Sequence, residues 1–141
     1  MKILSSLFLA ASVLACSPAF AQQGDIADAR AATERWFKLM DAEDYSAAWK
    51  TSATGVHELP QFAWTTLMGA VHSPLGAFKS RKFKGATVNR SSPEKPGAVS
   101  ITLAYESRYE KSPHVDETVT TVHEKDGVWR VSDVNINDGK P

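Results

Sequence analysis

Five polar residues in the C-terminal half of the chain have side chains that could bind or transform a small molecule: a guanidinium, two phenols, a carboxylate and an imidazole. A few polar groups that converge in an otherwise apolar cleft fix the orientation of a ligand. A tryptophan could provide the apolar wall, and a Glu and a His could act as general base and acid. The candidate ligand-binding residues are Trp64, Arg81, Tyr105, Tyr109, Glu117 and His123.

The same residues also fit a purely structural interpretation, and the sequence leaves both open. Trp64 and Tyr105 can be core side chains, since large aromatic residues are mostly buried. Arg81 can form an ion pair with Glu117 at the surface. His123 can be a solvated strand residue. Glu117 and His123 cannot pair directly, because six residues along one strand separate them by about 20 Å.

Other common chemistries find no support in the sequence. The four histidines, at positions 57, 72, 114 and 123, lack the short paired spacing of a zinc site. The chain contains no Gly-x-Ser-x-Gly elbow for a nucleophilic serine and no phosphate-binding glycine loop. Its 16 basic residues balance 16 acidic ones, without the basic surplus of a nucleic-acid-binding protein. We therefore predict no catalytic residue, metal, cofactor or nucleic-acid partner.

Three helices that could position this site are predicted from the spacing of apolar residues. The first should run from Asp25, as its N-cap, to about Met40. Asp44 should cap a second, shorter helix, and Pro60 should begin a third that ends before Ser73-Pro74. The third helix carries the apolar residues Phe62, Trp64, Leu67, Met68 and Val71.

Four strands are predicted after Gly76, where the apolar period changes from helical spacing to alternation. Asp126-Gly127 should form the tight turn of the last hairpin, and residues 91–97, with two prolines, should form a loop. Helices followed by an antiparallel meander predict an α+β domain, with N-terminal helices packed on one face of a curved, four-stranded antiparallel sheet. The predicted strands are 78–89, 99–109, 117–124 and 128–136.

Residues 79–84 form the clearest local excess of positive charge in the chain. The run could bind a polyanion or a membrane surface. We favour a role in protecting an exposed sheet edge, because lysines on an edge strand discourage pairing with other chains. Three tryptophans have the helical or strand phase of core residues and are predicted to be structural. They are Trp36, Trp49 and Trp129.

The N-terminus has the pattern of an export signal. Lys2 precedes an uncharged run over residues 3–15, which is too short to span a membrane, and Ala19-Phe20-Ala21 offers small residues for a signal peptidase. Cleavage after Ala21 predicts a signal peptide over 1–21, a single α+β domain over 22–141, and a periplasmic or secreted protein. The alternative is a lipoprotein anchored to the membrane through Cys16, because residues 13–16 resemble a lipobox.

An ordered set of residues from 31 to 136 resembles the bacterial exported family called domain of unknown function 4019. The resemblance implies no activity, but it implies an architecture similar to nuclear-transport-factor-two-like and cystatin-like folds. The chain departs from the family pattern at Val71-His72-Ser73, where members tend to have an arginine. The matching residues are Trp36, Asp41, Tyr45, Trp49, Trp64, Pro74-Leu75-Gly76, Arg81, Lys111, Glu117-Thr118-Val119, Asp126-Gly127 and Trp129-Arg130-Val131.

These observations favour an exported, non-catalytic module that binds a small molecule or a partner protein in the bacterial envelope. The first alternative is a small enzyme of the isomerase or hydrolase type, with its site in a cavity between helices and sheet. The second is a structural domain that forms a homodimer through its open sheet face. The identity of the ligand or partner is not encoded in any motif of the chain.

Overall fold

The computed structural model describes residues 18–90 and 98–139. The predicted loop over 91–97, Cys16 and most of the predicted signal peptide lie outside the described residues. Three helices precede four strands, and short 3₁₀ turns at Thr54–Glu58 and Ser73–Leu75 flank the third helix. The helices are α1 (Pro18–Asp41), α2 (Tyr45–Thr51) and α3 (Gln61–His72), and the strands are β1 (Phe78–Arg90), β2 (Val99–Tyr109), β3 (Val115–His123) and β4 (Trp129–Asn137).

The four strands form one antiparallel sheet in the order β1-β2-β3-β4, and α1 packs across all four of them. The predicted α+β architecture, with helices on one face of a curved sheet, is therefore confirmed. The opposite face carries polar or charged residues such as Glu106, Arg108 and Asp116, which are exposed. No helix in the described part of the chain is long and apolar enough to cross a membrane.

The core lies between α1 and the inner face of the sheet. Along α1, the buried residues Ala29, Trp36 and Met40 recur at helical spacing, as the periodicity predicts. They pack against inward-facing residues of β2 and β3, where alternate positions such as Leu103 and Val119 are fully buried. Trp36 also donates a hydrogen bond from its indole nitrogen to the Ser52 hydroxyl at 3.0 Å, so its polar atom is satisfied inside the core.

Several helix boundaries follow the local signals in the sequence. Asp44 caps α2, since its side chain accepts a hydrogen bond from the Ala47 backbone nitrogen at 3.1 Å. Pro60 precedes α3, which ends at His72, directly before Ser73-Pro74. The predicted start of α1 is wrong: Asp25 lies inside a helix that already begins at Pro18, because the alanines and glutamines of residues 19–23 extend it towards the N-terminus.

Burial is incomplete on α3 and at Trp49. On α3 only Trp64 and Met68 are buried, whereas Phe62 is 77% exposed and Leu67 is 49% exposed, so much of its apolar face is open. Trp49 was predicted to be a core residue, but it is only half-buried. Its indole nitrogen reaches out of the core and donates a hydrogen bond to the Leu59 carbonyl at 3.1 Å.

The connection between α1 and α2 contains a residue in an uncommon backbone conformation. Glu43 has φ +60°, the only positive value among the described residues other than glycine. Its backbone nitrogen donates to the Met40 carbonyl at 3.0 Å, and the Asp44 nitrogen donates to the Leu39 carbonyl at 2.9 Å. This bonding pattern is a Schellman motif with a glutamate at the position where glycine is most common.

Strand β1 is an edge strand, as predicted for the basic run, but the run is not uniformly exposed. Lys79, Lys82 and Lys84 face solvent, whereas the Arg81 side chain is only 9% exposed. Register shifts before Ser80 and before Gly85 leave Arg81 opposite Ser107, on the same inner face as Phe83. The basic run therefore supplies one side chain to the protein interior.

Candidate functional site

The side chain of Arg81 is the centre of a polar cluster at one end of the inner sheet face. Its Nη1 and Nη2 donate to the two carboxylate oxygens of Asp41 at 2.8 and 3.0 Å. Its Nε donates to Oε2 of Glu117 at 2.7 Å. Asp41 comes from the C-terminal end of α1 and Glu117 from β3, so the guanidinium joins helix to sheet. Bidentate contact of this kind favours arginine over lysine.

Glu117 is 1% exposed and is held entirely by hydrogen bonds inside the cluster. Besides the contact from Arg81, the Ser107 hydroxyl donates to its Oε2 at 2.8 Å, and the Tyr109 hydroxyl donates to its Oε1. The three partners lie on neighbouring strands because Arg81 is opposite Ser107 and Tyr105 is opposite Glu117 in the sheet register. A buried carboxylate needs such partners, since desolvation of an unpaired charge is very unfavourable.

Two phenylalanines cover the guanidinium of Arg81. Its central carbon lies 3.5 Å from the ring centroid of Phe37 and 4.5 Å from that of Phe78. Burial lowers the pKa of Arg81, but the hydrogen bonds and negative charges of Asp41 and Glu117 outweigh this effect and raise it. Burial, followed by the charge of Glu117, raises the pKa of Tyr109, so its hydroxyl keeps its proton and donates.

A cavity of about 430 Å³ opens beside this cluster, between the ends of α1 and α3 and the start of β1. We call it the His72 cavity. Its rim includes Glu43, the residue with positive φ, and the backbone around Gly76. The side chains that define its walls are Met40, Asp41, Tyr45, His72, Phe78 and Tyr109.

His72 is the one residue of this cavity with a buried side-chain atom that lacks a hydrogen-bond partner among the described residues, its Nε2. The imidazole lies near two phenol rings, with centroid distances of 6.0 Å to Tyr45 and 6.3 Å to Tyr109. Burial lowers the pKa of His72, while the charges of Glu117 and Asp41 oppose that shift. The neutral imidazole is therefore favoured, with one nitrogen available to donate or accept according to its tautomer.

Three of the six predicted site residues meet in this cluster: Arg81, Tyr109 and Glu117. The ion pair of Arg81 with Glu117 forms, but the structure places it in the interior rather than at the surface, because the inner face of β1 and β2 is covered by α1. Tyr105 lies further along the inner face of β2 and has a buried hydroxyl without a partner in the described part of the chain. A role of these residues in ligand binding stays a prediction.

The other two predicted residues lie elsewhere. Trp64 is 8% exposed and packs edge-on against Trp36 in the core, with ring centroids 6.4 Å apart. It does not line the His72 cavity. His123 is exposed at the end of β3 and stacks on Trp129, with ring centroids 4.9 Å apart. Trp64 is therefore a core residue and His123 a solvated strand residue, as the structural interpretation of the sequence has it.

Two important residues were absent from the predicted site, Asp41 and His72. Asp41 directly follows the last apolar position of α1, which is a signal for a polar group at the edge of the core. His72 directly precedes the Ser73-Pro74 stop of α3, and residues at such boundaries often carry function. Among the residues described, no group of three His, Cys, Asp or Glu side chains is arranged to hold a metal ion.

Comparison with solved structures identifies the architecture. ActVI-ORFA from Streptomyces coelicolor has a TM-score of 0.54 at 14% identity, over 81% of this chain and 96% of its own. A protein from Catenulispora acidiphila has a TM-score of 0.55 at 12% identity, over 84% and 94% of the two chains. Aln2 from a Streptomyces species has a TM-score of 0.51 at 15% identity, over 86% and 91%. These similarities show the nuclear-transport-factor-two-like fold that the sequence resemblance implies.

Sequence comparison gives the family but no activity. A search of curated proteins finds no significant match. The model of one family, described as "Protein of unknown function (DUF4019)", matches residues 32–133. Because this match covers most of the chain and includes the residues of the polar cluster, the protein belongs to the DUF4019 family, as its ordered tryptophan, Pro-Leu-Gly and Trp-Arg-Val motifs indicate.

Proposed function

We propose that the protein binds a small organic molecule in the His72 cavity. The observation that carries this proposal is the buried Nε2 of His72, which has no partner among the described residues and lies in a cavity with aromatic walls. A buried polar atom without a hydrogen bond costs about 1–3 kcal/mol, and a ligand that supplies the missing bond would recover this free energy. The cavity volume of about 430 Å³ lies within the range of small-molecule sites.

The charges around the cavity favour a neutral or positively charged ligand. Asp41 and Glu43 lie at its edge, and the buried Glu117 lies behind Tyr109. The single positive charge of Arg81 is shared between two carboxylates, so the polar cluster carries a net negative charge. The aromatic residues Tyr45, Phe78 and Tyr109 line the cavity, and the negative face of an aromatic ring attracts an ammonium group. An arylalkylamine combines an aromatic ring with the positive charge of an ammonium group.

The backbone at the cavity rim supports a functional role. A non-glycine residue with positive φ costs about 1–2 kcal/mol, and such residues cluster at binding sites. Glu43 has this conformation and lines the His72 cavity, and its negative charge raises the pKa of His72 against the effect of burial. A glycine there would relieve the strain but would remove the negative charge that we assign to ligand attraction.

A matched pair of probes tests this proposal. Tyramine and 4-hydroxyphenylacetate share a phenol ring and differ in the charge of the side chain. A ligand that binds only the native state raises the melting temperature. We expect tyramine to raise it in a concentration-dependent manner, and we expect the part of the shift that depends on His72 to be smaller for 4-hydroxyphenylacetate.

The control for this experiment is a second histidine. His114 is exposed and does not line the His72 cavity. We expect His72→Gln to abolish the tyramine shift and His114→Gln to retain it. The proposal fails if neither probe shifts the wild-type protein, or if both variants retain the full shift. A His72-dependent shift that is larger for the carboxylate than for tyramine would overturn the charge preference.

A second candidate function is acid–base catalysis in the same cavity. It is supported by the neutral imidazole of His72, which lies in the cavity and could accept a proton from a ligand there. To test it, the exchange of α-protons of acetophenone for deuterium in D₂O can be followed by NMR in the presence of the protein. Exchange that depends on His72 would establish an enzyme. Exchange equal to that of the His72→Gln variant would exclude this reaction for this probe.

We further propose that the protein acts after export to the bacterial envelope. The support is the N-terminal sequence: Lys2, the uncharged run over 3–15 and the Ala19-Phe20-Ala21 motif. Intact-mass measurement of the protein recovered from the producing cell tests this proposal. Cleavage gives a chain that begins at Gln22, lipidation gives a chain that begins at a modified Cys16, and an uncleaved chain would contradict export through either route.

A further inference from the structure

A second cavity, of about 240 Å³, lies beside the polar cluster between α1 and the strands β1 and β2. Asp41 lines both this cavity and the His72 cavity. Arg81 contacts a ring from each of them, Phe37 on this side and Phe78 on the other. We call this second space the Tyr105 cavity. Its remaining walls are Arg30, Glu34, Phe37, Lys38, Phe83 and Tyr105.

The hydroxyl group of Tyr105 has an unmet hydrogen bond. The residue is 3% exposed, and its hydroxyl oxygen is buried without a partner among the described residues. Edge-to-face contacts fix its ring, with centroid distances of 5.1 Å to Phe37 and 5.5 Å to Phe83. Burial raises the pKa of Tyr105 to about 12, so the group remains a protonated donor at neutral pH. A buried donor of this kind calls for an acceptor.

The mouth of the Tyr105 cavity is positively charged. Arg30, Glu34 and Lys38 are spaced by four residues along α1 and therefore share one helix face. The Nε of Arg30 donates to Glu34 at 2.7 Å, while its two terminal amino groups make no hydrogen bond within the described part of the chain. Lys38 is exposed and forms no ion pair there. The three charged residues of this helix face carry a net charge of +1, and the terminal amino groups of Arg30 and the ammonium group of Lys38 can donate to an anion.

We propose that the Tyr105 cavity is a second ligand site, which binds a small aromatic monocarboxylate with a polar group opposite its carboxylate. The carboxylate accepts hydrogen bonds from the terminal amino groups of Arg30, and Lys38 adds positive charge nearby. The ring lies beside Phe37 and Phe83, over which the guanidiniums of Arg81 and Arg30 lie at 3.5 and 4.3 Å. The distal polar group accepts a hydrogen bond from Tyr105. The cavity volume restricts the ligand to about one ring, since drug-sized molecules occupy larger spaces. The Tyr105 cavity should prefer a negatively charged ligand, whereas the His72 cavity should prefer a neutral or positively charged one. The reason is that Arg30 and Lys38 line the Tyr105 cavity, where the His72 cavity has Glu43.

The test uses 4-hydroxybenzoate and benzoate, which differ only by the distal hydroxyl, in titrations followed by NMR or calorimetry. We expect saturable binding of both to the wild-type protein. Arg30→Gln should weaken the binding of both about tenfold, through loss of charge-assisted hydrogen bonds. Tyr105→Phe should weaken 4-hydroxybenzoate binding about fivefold and leave benzoate binding unchanged, since only the first ligand reaches the hydroxyl.

Two control variants separate this proposal from simpler explanations. Arg35→Gln removes an exposed arginine of α1 that does not line the Tyr105 cavity, and it should leave both affinities unchanged. His72→Gln should also leave the affinities for both ligands unchanged. The proposal for the Tyr105 cavity can therefore fail or succeed independently of the proposal for the His72 cavity. The proposal is overturned by absent or unsaturable binding to the wild type, by equal losses in Arg30→Gln and Arg35→Gln, or by equal effects of Tyr105→Phe on the two ligands.

Discussion

The two ends of the inner sheet face differ in chemistry although the same strands run through both. At one end β2 and β3 bury aliphatic residues such as Ile101, Leu103 and Val119. At the other end the same strands bury Ser107 and Glu117, which join Arg81 in the polar cluster. The aliphatic end is packed against Trp36 and Trp129, whereas the His72 and Tyr105 cavities adjoin the polar end.

We interpret this difference as a division between stability and the ligand binding that we propose. Each fully buried aliphatic side chain contributes about 1.5–3 kcal/mol through the hydrophobic effect. A buried ion pair contributes little, because desolvation of the charges offsets most of their attraction. The aliphatic end therefore supplies the free energy of folding. The polar cluster holds side chains that line the two cavities, Asp41 and Arg81 among them, which fits the binding role that we propose for this end.

The largest effect should come from removal of the cation at the polar end. Arg81→Met leaves Glu117 buried without its charge partner, and we expect the free energy of unfolding to fall by about 3–5 kcal/mol. Urea denaturation at pH 7 measures the change. In the double variant Arg81→Met/Glu117→Leu, most of this loss should be recovered because no charge remains at the position of Glu117. A single variant as stable as the wild type would contradict the interpretation.

A comparable loss is expected at the aliphatic end, with a different cause. Leu103→Ala removes a fully buried side chain, and the resulting void should lower the free energy of unfolding by about 3 kcal/mol. Urea denaturation again gives the value. Because Leu103 lines neither cavity, tyramine and 4-hydroxybenzoate should bind the folded variant as they bind the wild type. A specific loss of ligand binding would remove the proposed division between the two ends.

Two tyrosines on β2 give a matched comparison within the polar end. The Tyr109 hydroxyl donates to Glu117, whereas the Tyr105 hydroxyl has no partner among the described residues. Tyr109→Phe should lower the free energy of unfolding by about 2 kcal/mol, since its hydrogen bond involves a charged group. Tyr105→Phe should be neutral or stabilising, because it removes a buried polar group that makes no hydrogen bond. Equal losses in the two variants, measured by thermal and urea denaturation, would refute this distinction.

A smaller effect should appear in the pH dependence of stability. The pKa of His72 is lowered in the folded protein from its ordinary value of 6.5, chiefly by burial, with Glu117, Asp41 and Glu43 opposing and Arg81 reinforcing the shift. The unfolded chain therefore binds more protons just below pH 6.5, and stability decreases as the pH falls through this range. His72→Gln should flatten this decrease, and His114→Gln should not. Identical slopes in all three proteins would contradict the assignment.

The smallest effect should be a gain in stability at the cavity rim. Glu43→Gly places glycine at a position with φ +60°, and we expect the free energy of unfolding to rise by about 1 kcal/mol, after the greater entropy of glycine in the unfolded chain is included. Tyramine binding should weaken in the same variant, because the negative charge of Glu43 is lost. A variant that is both more stable and unchanged in binding would show that Glu43 has no role in the site.

Local patterns in the sequence were sufficient to predict the elements and the sheet. Alternation along β2, the cap at Asp44 and the stop at Ser73-Pro74 all depend on residues within a few positions of one another. The placement of Arg81 in the cleft between helices and sheet was also predictable, because it lies two residues before Phe83 and shares its face. The sequence alone therefore determined the fold class, the order of elements and part of the polar cluster.

Only the tertiary structure decided which distant residues meet. Asp41 is forty residues from Arg81, and their bidentate contact depends on how α1 crosses the sheet and on the register shifts in β1. The same packing places the Nε2 of His72 and the hydroxyl of Tyr105 beside two cavities, without partners in the described part of the chain. Periodicity is a property of the local backbone, whereas convergence and unfilled space depend on contacts between elements, so no local pattern could reveal them.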